Sequence, residues 1–322
     1  MQAIVATKYG PPDVLRLEDV EKPTPQDDEV LIKVKAASLN AYDWHLLTAD
    51  IFLVRLMGGG FLKPKNKIPG ADIAGRVEAV GRNVTQFKPG EDVFGDIGHG
   101  GFAEYACARE NRLAARPANL SFEEAAAVPM AALTALQGLR DKGRIQPGQK
   151  VLINGASGGV GTFAVQIAKA FGAEVTAVCS IGKMDMARSI GADQVIDYTK
   201  EDFTKAGQRY DLVFAANGYH PILDYRRALA PKGIYVMAGG TKAQLFQAML
   251  LGPWISLAGS KKTRGVSANV NQKDLVYIKG LLEAGKIKPV IDRRYLLSEV
   301  PEALRYLGDG HARGKVAISI ES

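Results

Sequence analysis

Residues 153–161 read Ile-Asn-Gly-Ala-Ser-Gly-Gly-Val-Gly, which places glycines at 155, 158 and 161. Small residues at this spacing let the chain turn tightly and bring backbone N–H groups against a diphosphate. A helix starting at that point adds the positive end of its dipole. The surrounding pattern supplies the elements that would hold the turn. A short apolar strand, Lys150–Asn154, precedes it. A helix with Val160, Ala164, Ile167, Ala168 and Phe171 on one face follows, and then a second apolar strand, Glu174–Val178. In this strand–turn–helix–strand setting the glycines predict a dinucleotide site. The alternative is a tight helix–strand turn that binds nothing.

The tip of the second strand bears on which dinucleotide. A site that prefers NAD usually carries Asp or Glu about 20 residues on, to hold the ribose 2′-hydroxyl. Here the tip reads Val178-Cys179-Ser180-Ile181-Gly182-Lys183, without an acid. Ser180 can donate to a phosphate oxygen, and Lys183 supplies a compact positive charge. The pair therefore favours NADPH over NADH. The competing reading makes Ser180 a helix cap and Lys183 a solvated surface lysine. Asp185 lies past the strand, in the next helix.

Composition narrows the class. The chain has 322 residues, enough for two domains at ~150 residues each. A hydrophobic content of 47% and a charged content of 23% fit a globular enzyme and exclude a low-complexity chain. The two cysteines, Cys107 and Cys179, are too few for a disulfide framework. A reducing, cytoplasmic setting is expected. The opening Met-Gln-Ala-Ile-Val-Ala-Thr-Lys reads as a strand with no signal-peptide core. The net charge of +7 raises nucleic acid or a membrane surface as partners. The basic residues are scattered, however, and the one tight cluster is Lys261-Lys262-Thr-Arg264. No nucleic-acid partner is expected.

Residues 1–121 are rich in strand and turn signals. Val30–Ala36 alternates as a half-buried strand, Pro69–Gly81 reads as a strand pair punctuated by glycine, and Phe87–Gly95 is a turn entering a strand. Ser121-Phe-Glu-Glu124 is a capping box opening a helix from Glu123 to Leu139, kinked at Pro129. Strand–helix alternation then runs through Asp211–Ala216 and Gly233–Ala238, both buried-strand runs of the parallel type. A helix is expected over Gln272–Ala284, with strands at Pro289–Asp292 and Lys315–Ile320. The fold class is α/β: a Rossmann doubly wound parallel sheet beside a β-rich barrel. The expected domains are 1–121 and 122–262, with 263–322 returning to the first.

The apolar stretch Ala248–Gly259 is interrupted by Pro253 and is shorter than the ~20 residues a spanning helix needs. Residues 245–257 read as a helix and loop over the substrate mouth or at a subunit interface. The second reading is peripheral membrane contact helped by Lys261, Lys262 and Arg264.

The order of these pieces resembles the medium-chain dehydrogenase/reductase superfamily, and within it the zinc-free quinone oxidoreductase branch. The resemblance spans essentially the whole chain. It is carried by Ala37–Asn40 with Asp43-Trp44, Pro69-Gly-x-Asp72-x-Ala-Gly75, Gly101–Tyr105, Ala125-Ala-Ala-x-Pro129, Leu133–Ala135, Ala156–Gly161, Gly191–Tyr198 and Gly310–Lys315. Ser38–Asn40, Ala216–Gly218 and the His-Ala-Arg-Gly-Lys ending are closest to chloroplast-envelope quinone oxidoreductase homologues and reticulon-interacting mitochondrial reductases. Two departures stand out. Gly155 replaces a common alanine, and Asn40-Ala-Tyr-Asp43 replaces Asn-Pro-Val-Asp, so that Tyr42 reshapes the pocket.

The resemblance implies a GroES-like substrate domain and a Rossmann domain, with the cofactor in the cleft between them. Ser157, Gly158, Gly159 and Val160 would hold the pyrophosphate, and Ser180 and Lys183 the 2′-phosphate. Tyr198 would border the adenine ribose or serve only in packing. Asn217 would stand at the mouth of the third Rossmann strand. His311, Ala312, Arg313 and Lys315 would close over the cofactor, unless Arg313 and Lys315 belong to a solvated turn. Thr134 would lie near the nicotinamide amide or back-bond within its helix.

Asn40 and Tyr42 are candidates for polarising a substrate carbonyl. Each has a structural hydrogen bond as its alternative, and Asn40 a cofactor contact as well. No metal is expected. Asn40 and Ala71-Asp72 occupy the positions of zinc ligands in the alcohol dehydrogenase branch, and His45, His99, His220 and His311 lack ligand spacing. Hydride transfer to quinones or α,β-unsaturated carbonyls then follows, since these acceptors need no Lewis acid. The alternative is a non-catalytic NADPH-binding sensor, scaffold or RNA binder. A homodimer through an edge strand of the Rossmann sheet is expected by analogy.

Overall fold

The computed structural model describes residues 1–50, 60, 62–241, 243, 244, 247 and 260–320. Apart from Gln247, residues 245–257, read as a mouth-covering helix and loop or a membrane contact, lie outside the described residues. The chain divides into two compact units. One comprises Met1–Met130, Val270–Glu283 and Ile291–Ser322; the other comprises Ala131–Asn269 and Ala284–Val290.

Strands β1 (Gln2–Ala6), β2 (Leu15–Asp19), β3 (Glu29–Ser38), β4 (Asp72–Val80), β5 (Asp92–Asp96), β6 (Tyr105–Arg109) and β7 (Leu113–Ala115) build the first unit. The second holds β8 (Lys150–Asn154), β9 (Glu174–Cys179), β10 (Gln194–Asp197), β11 (Tyr210–Ala215), β12 (Leu229–Met237) and β13 (Lys262–Gly265). The chain then returns to the first unit with β14 (Ile291–Leu296) and β15 (Lys315–Ser319).

In the first unit a seven-stranded sheet runs β14-β15-β3-β4-β5-β7, with β6 also paired to β3. The alternating apolar positions of β3, Val30, Ile32 and Val34, join one core with Ile73, Val77, Val93, Phe102, Val316 and Ile318. β15 pairs antiparallel with β3, setting Ala317 against Ser38, so the tail completes this core. Pro69–Gly81 was expected to form two strands; Asp72–Val80 is a single strand. Gly75 marks close approach rather than a turn, since a Cβ there would lie 2.3 Å from the Lys33 carbonyl oxygen on β3.

Ser121 caps its helix as read. Its Oγ accepts from the Glu124 N–H at 3.2 Å, and its own N–H donates to the Glu124 carboxylate at 2.8 Å. The helix differs in length. It stops at Ala126, and a second helix starts at Pro129 and runs to Gln137. Proline disfavours helical backbone at the residue before it and lacks the N–H a continuous helix would need, so the expected kink is a break. The helix Phe122–Ala126 also groups with the first unit, which runs to Met130, beyond the 121/122 boundary expected from sequence. The helix Val300–Gly308 was not anticipated; it buries Val300, Ala303 and Leu304.

The second unit is a six-stranded sheet of order β10-β9-β8-β11-β12-β13, every neighbouring pair parallel. The central strands read as apolar runs because both sheet faces are covered. The winding reverses between β8 and β11, and ligands of such sheets bind at the carboxyl ends of the strands flanking that point.

Candidate active site

The glycine turn leaves β8 at this switch point. Both Ala216 and Asn217, just past β11, donate their N–H groups to the Asn154 carbonyl, at 2.9 and 3.3 Å. Gly155 has φ +80, and a Cβ there would meet Asn217 Cβ at 2.8 Å. A Cβ on Gly161 would lie 2.0 Å from the Gly155 carbonyl oxygen. The protein's own packing thus requires these two glycines. Gly158 is different, because a Cβ there would meet only Gly155 O, at 3.7 Å. Internal packing does not require its bareness, which fits the approach of a ligand. The helix Gly159–Ala170 has Gly158 as its N-cap. Its first N–H groups, including those of Gly159 and Val160, have no acceptor one turn earlier. With Ser157 buried in the turn, the cradle fits a diphosphate, and it would hold one through backbone donors and the helix dipole.

At the tip of β9, Ser180 takes the N-cap position of the short turn Ile181–Lys183, yet its hydroxyl makes no bond to that turn. Lys183 is half-buried on the same turn. Asp185 pairs with Arg188 at 2.8 Å, so the nearest acid is engaged one turn further along. Tyr198 follows β10; its N–H donates to the Cys179 carbonyl at 3.2 Å. Its ring lies 5.6 Å from that of Tyr219, and both are exposed. Asn217 is exposed at the mouth of β11, and Thr134 is half-buried on the helix Pro129–Gln137.

Side chains with no signature in the sequence tie these loops together. Asn154 Oδ1 accepts from the Tyr225 hydroxyl, which accepts in turn from the Tyr219 N–H at 3.2 Å. Gln244 Nε2 donates to Tyr235 Oη at 2.9 Å and to the His220 carbonyl at 3.2 Å, bracing the loops after β11 and β12. No motif flags them, because they are ordinary polar residues until the sheet aligns them.

The first unit gathers a different group. Asn40 lies two residues past the end of β3, at the N-cap of the helix Ala41–Thr48. Its N–H donates to Asp43 Oδ2 at 2.8 Å and its Nδ2 to Asp72 Oδ2 at 3.0 Å. Lys315 Nζ donates to Asn40 Oδ1 and, at 2.9 Å, to the Leu39 carbonyl. It also lies 3.5 Å from Asp72 Oδ2. Asp72 further accepts the N–H of Met130, in the first turn of its helix, at 3.1 Å. Asp96 nearby pairs with Arg112 at 3.1 Å.

These acids are almost fully buried, and burial dominates their titration. Asp43 is pushed up to about 7 against the pull of the Asn40 N–H and Lys315. Asp72 is pushed up to about 7 against the pull of Lys315. Burial likewise lowers Lys315 against the attraction of Asp72 and Asp43. Tyr42 is exposed on the adjoining helix. Partial burial, with Asp43 and Asp96 nearby, raises its phenol, so it stays a neutral donor.

Lys315 departs from its expected place. It was grouped with the residues closing over a cofactor, but it is 2% exposed and its ammonium is engaged within the first unit. Burying an ammonium is tolerated only where oxygens accept its hydrogens, as the Leu39 carbonyl and Asn40 Oδ1 do here. His311 and Arg313 are exposed and Ala312 half-buried on the loop before β15. Asp292 secures that loop, accepting from the Arg313 N–H at 2.9 Å and from the Tyr306 hydroxyl at 2.5 Å. Among the described residues, no group of three or more His, Cys, Asp or Glu side chains is placed to hold a metal. Among the same residues, no helix is long and apolar enough to cross a membrane.

Residues 26–118 match the alcohol dehydrogenase GroES-like domain, and residues 190–318 match a family described as zinc-binding dehydrogenase. The chain is 37% identical over 337 residues to 2-methylene-furan-3-one reductase of Solanum lycopersicum, covering 99% of this chain and 79% of that protein. It is 34% identical to the NADPH-dependent alkenal/one oxidoreductase, chloroplastic, of Arabidopsis thaliana, with the same coverage of 99% and 79%. Among solved structures, the quinone oxidoreductase from Coxiella burnetii superposes with a TM-score of 0.87 at 30% identity, covering 100% of this chain and 99% of that one. With a GroES-like domain, a Rossmann sheet for a nicotinamide cofactor and these relatives, the chain belongs to the medium-chain dehydrogenase/reductase superfamily, in its quinone oxidoreductase branch.

Proposed function

We propose that the protein is an NADPH-dependent, zinc-independent oxidoreductase that transfers hydride to quinones or α,β-unsaturated carbonyls. The observation that carries this reading is the setting of Asn40. Where the zinc-dependent branch places a soft metal ligand, this chain has an amide tied to Lys315 and to Asp72. An amide beside a carboxylate that already faces an ammonium is a poor donor set for zinc.

Bound NADPH would supply the hydride. The protein's part is position and charge. Gly158, Gly159 and Val160 would present backbone donors to the diphosphate, and Ser180 and Lys183 would meet the 2′-phosphate. The tip of β9 offers no carboxylate to repel that phosphate. An amide nitrogen carries two hydrogens, and Asn40 gives one to Asp72, leaving the other for a substrate carbonyl. Tyr42 offers a second donor. Either would stabilise the enolate formed when hydride adds at a β-carbon. The α-carbon then takes a proton from water or a side chain.

Cofactor oxidation with 1,4-benzoquinone and with trans-2-hexenal, run in parallel with NADPH and NADH, tests the reading. Turnover with NADPH at well above the NADH rate is expected; no turnover with either acceptor would reject it. We further propose a homodimer formed through an edge strand, β10 or β13, and a cytoplasmic setting in keeping with two free cysteines. Light scattering in solution and localisation of the tagged full chain test these two points.

A further inference from the structure

The Asn40 amide has two faces of nearly equal size, and a half-turn about its last bond exchanges donor for acceptor. Its surroundings admit only one orientation. Oδ1 meets the Lys315 ammonium, which has nothing but hydrogens to offer, and Nδ2 meets the Asp72 carboxylate at 3.0 Å. A flipped amide would set NH2 against ammonium and C=O against carboxylate, two repulsions in a buried place. The frame behind it is firm. The Leu39 carbonyl holds a second lysine hydrogen at 2.9 Å, and the Met130 N–H holds Asp72 at 3.1 Å. Lys315 itself begins β15, the strand hydrogen-bonded to β3 beside Asn40.

We infer that Lys315 is a positioning residue for the reductase reaction: its buried ammonium locks the Asn40 amide so that one Nδ2 hydrogen faces the substrate carbonyl. This inference rests on the proposed role of Asn40 as the carbonyl donor.

Lys315→Met alone strands buried carboxylates and can unfold the protein. The informative variant is therefore the charge-balanced pair Lys315→Met/Asp72→Asn. It removes both charges yet keeps, at position 72, an acceptor for Asn40 and Met130. The pair is made in the Asn40 chain and again in an Asn40→Ala chain. Melting temperature and kcat are read with NADPH and 1,4-benzoquinone or trans-2-hexenal. The melting temperature is expected to stay near that of the wild type while kcat falls about 100-fold in the Asn40 chain, the scale of a donor displaced by about 1 Å. In the Asn40→Ala chain the pair should cost little more, because two residues acting through one contact are not additive. A pair variant with wild-type kcat, or one losing the same factor in both chains, would overturn the inference. A wild-type chain that oxidises no NADPH with either acceptor would instead strike the proposed function itself, before any variant is measured.

Discussion

Asn40 Nδ2 and Asp72 Oδ2 lie 3.0 Å apart although 32 residues separate them in the chain. That bond spends one of the two amide hydrogens and fixes the direction of the other. Replacing Asn40 with Ala removes the donor while leaving the dinucleotide cradle untouched. We expect kcat for an enone to fall by roughly 100- to 1,000-fold, the usual cost of losing an oxyanion donor, with the KM for NADPH nearly unchanged. Steady-state kinetics with both substrates varied checks this. A loss confined to the KM for NADPH would make Asn40 a cofactor ligand.

Asp43 gives a pH signature of stability. Burial raises its carboxyl from 3.8 to about 7 in the folded state. The folded protein therefore holds a proton that the unfolded chain has released at intermediate pH. Stability from this group is full below pH 4 and is lost as pH rises through about 7, by at most ~1.4 kcal/mol per pH unit. Acids lowered by their partners, such as Asp92 with Arg76 and Asp193 with Lys169, act with the opposite sign and below their ordinary values. The histidines His99 and His220, lowered by burial, also oppose it. The clean observable is thus a difference. Asp43→Asn should reduce the decline in melting temperature between pH 5 and 7.5 relative to wild type. Parallel curves for the two proteins would place the Asp43 titration elsewhere.

The three glycines of the turn should separate into two kinds. Gly161→Ala forces a Cβ to within 2.0 Å of the Gly155 carbonyl oxygen, and should cost about 1–3 kcal/mol of stability, as overpacking does. Gly158→Ala meets nothing closer than 3.7 Å. It should melt like wild type yet bind NADPH at least ~10-fold more weakly, because its methyl group would stand in the approach of the diphosphate. Thermal unfolding and cofactor fluorescence titration on both variants distinguish the effects. Tight binding by Gly158→Ala would move the diphosphate off this turn.

At the tip of β9 the account is electrostatic. Ser180→Ala and Lys183→Ala each remove a partner of the 2′-phosphate. Each should lower the NADPH preference by roughly 10- to 100-fold, the scale of a hydrogen bond to a charged group, while leaving NADH turnover alone. An equal loss with both cofactors would reduce these residues to supports of the local turn.

What could be read in advance tracks the range of the interactions. The βαβ unit around residues 150–178 and the Ser121–Glu124 capping box are local, and spacing alone exposed them. Pro129 announced an interruption, though only the structure turned the kink into a break that frees the Met130 N–H for Asp72. Lys315 was misplaced for a different reason. Its partners Leu39 and Asn40 lie 276 and 275 residues away, and one sequence cannot show that the last strand threads back beside the third. Tyr219, Tyr225 and Gln244 escaped notice in the same way, since they share no pattern until parallel strands bring their loops to one edge.

The central claim is that reduction proceeds here with an amide held by an ammonium in place of a metal. Its most direct test is NADPH oxidation with trans-2-hexenal by protein dialysed against EDTA, with the metal content of the same sample measured by mass spectrometry. The account predicts unchanged turnover and far less than one zinc per chain. Activity lost on chelation and restored by stoichiometric zinc would contradict it.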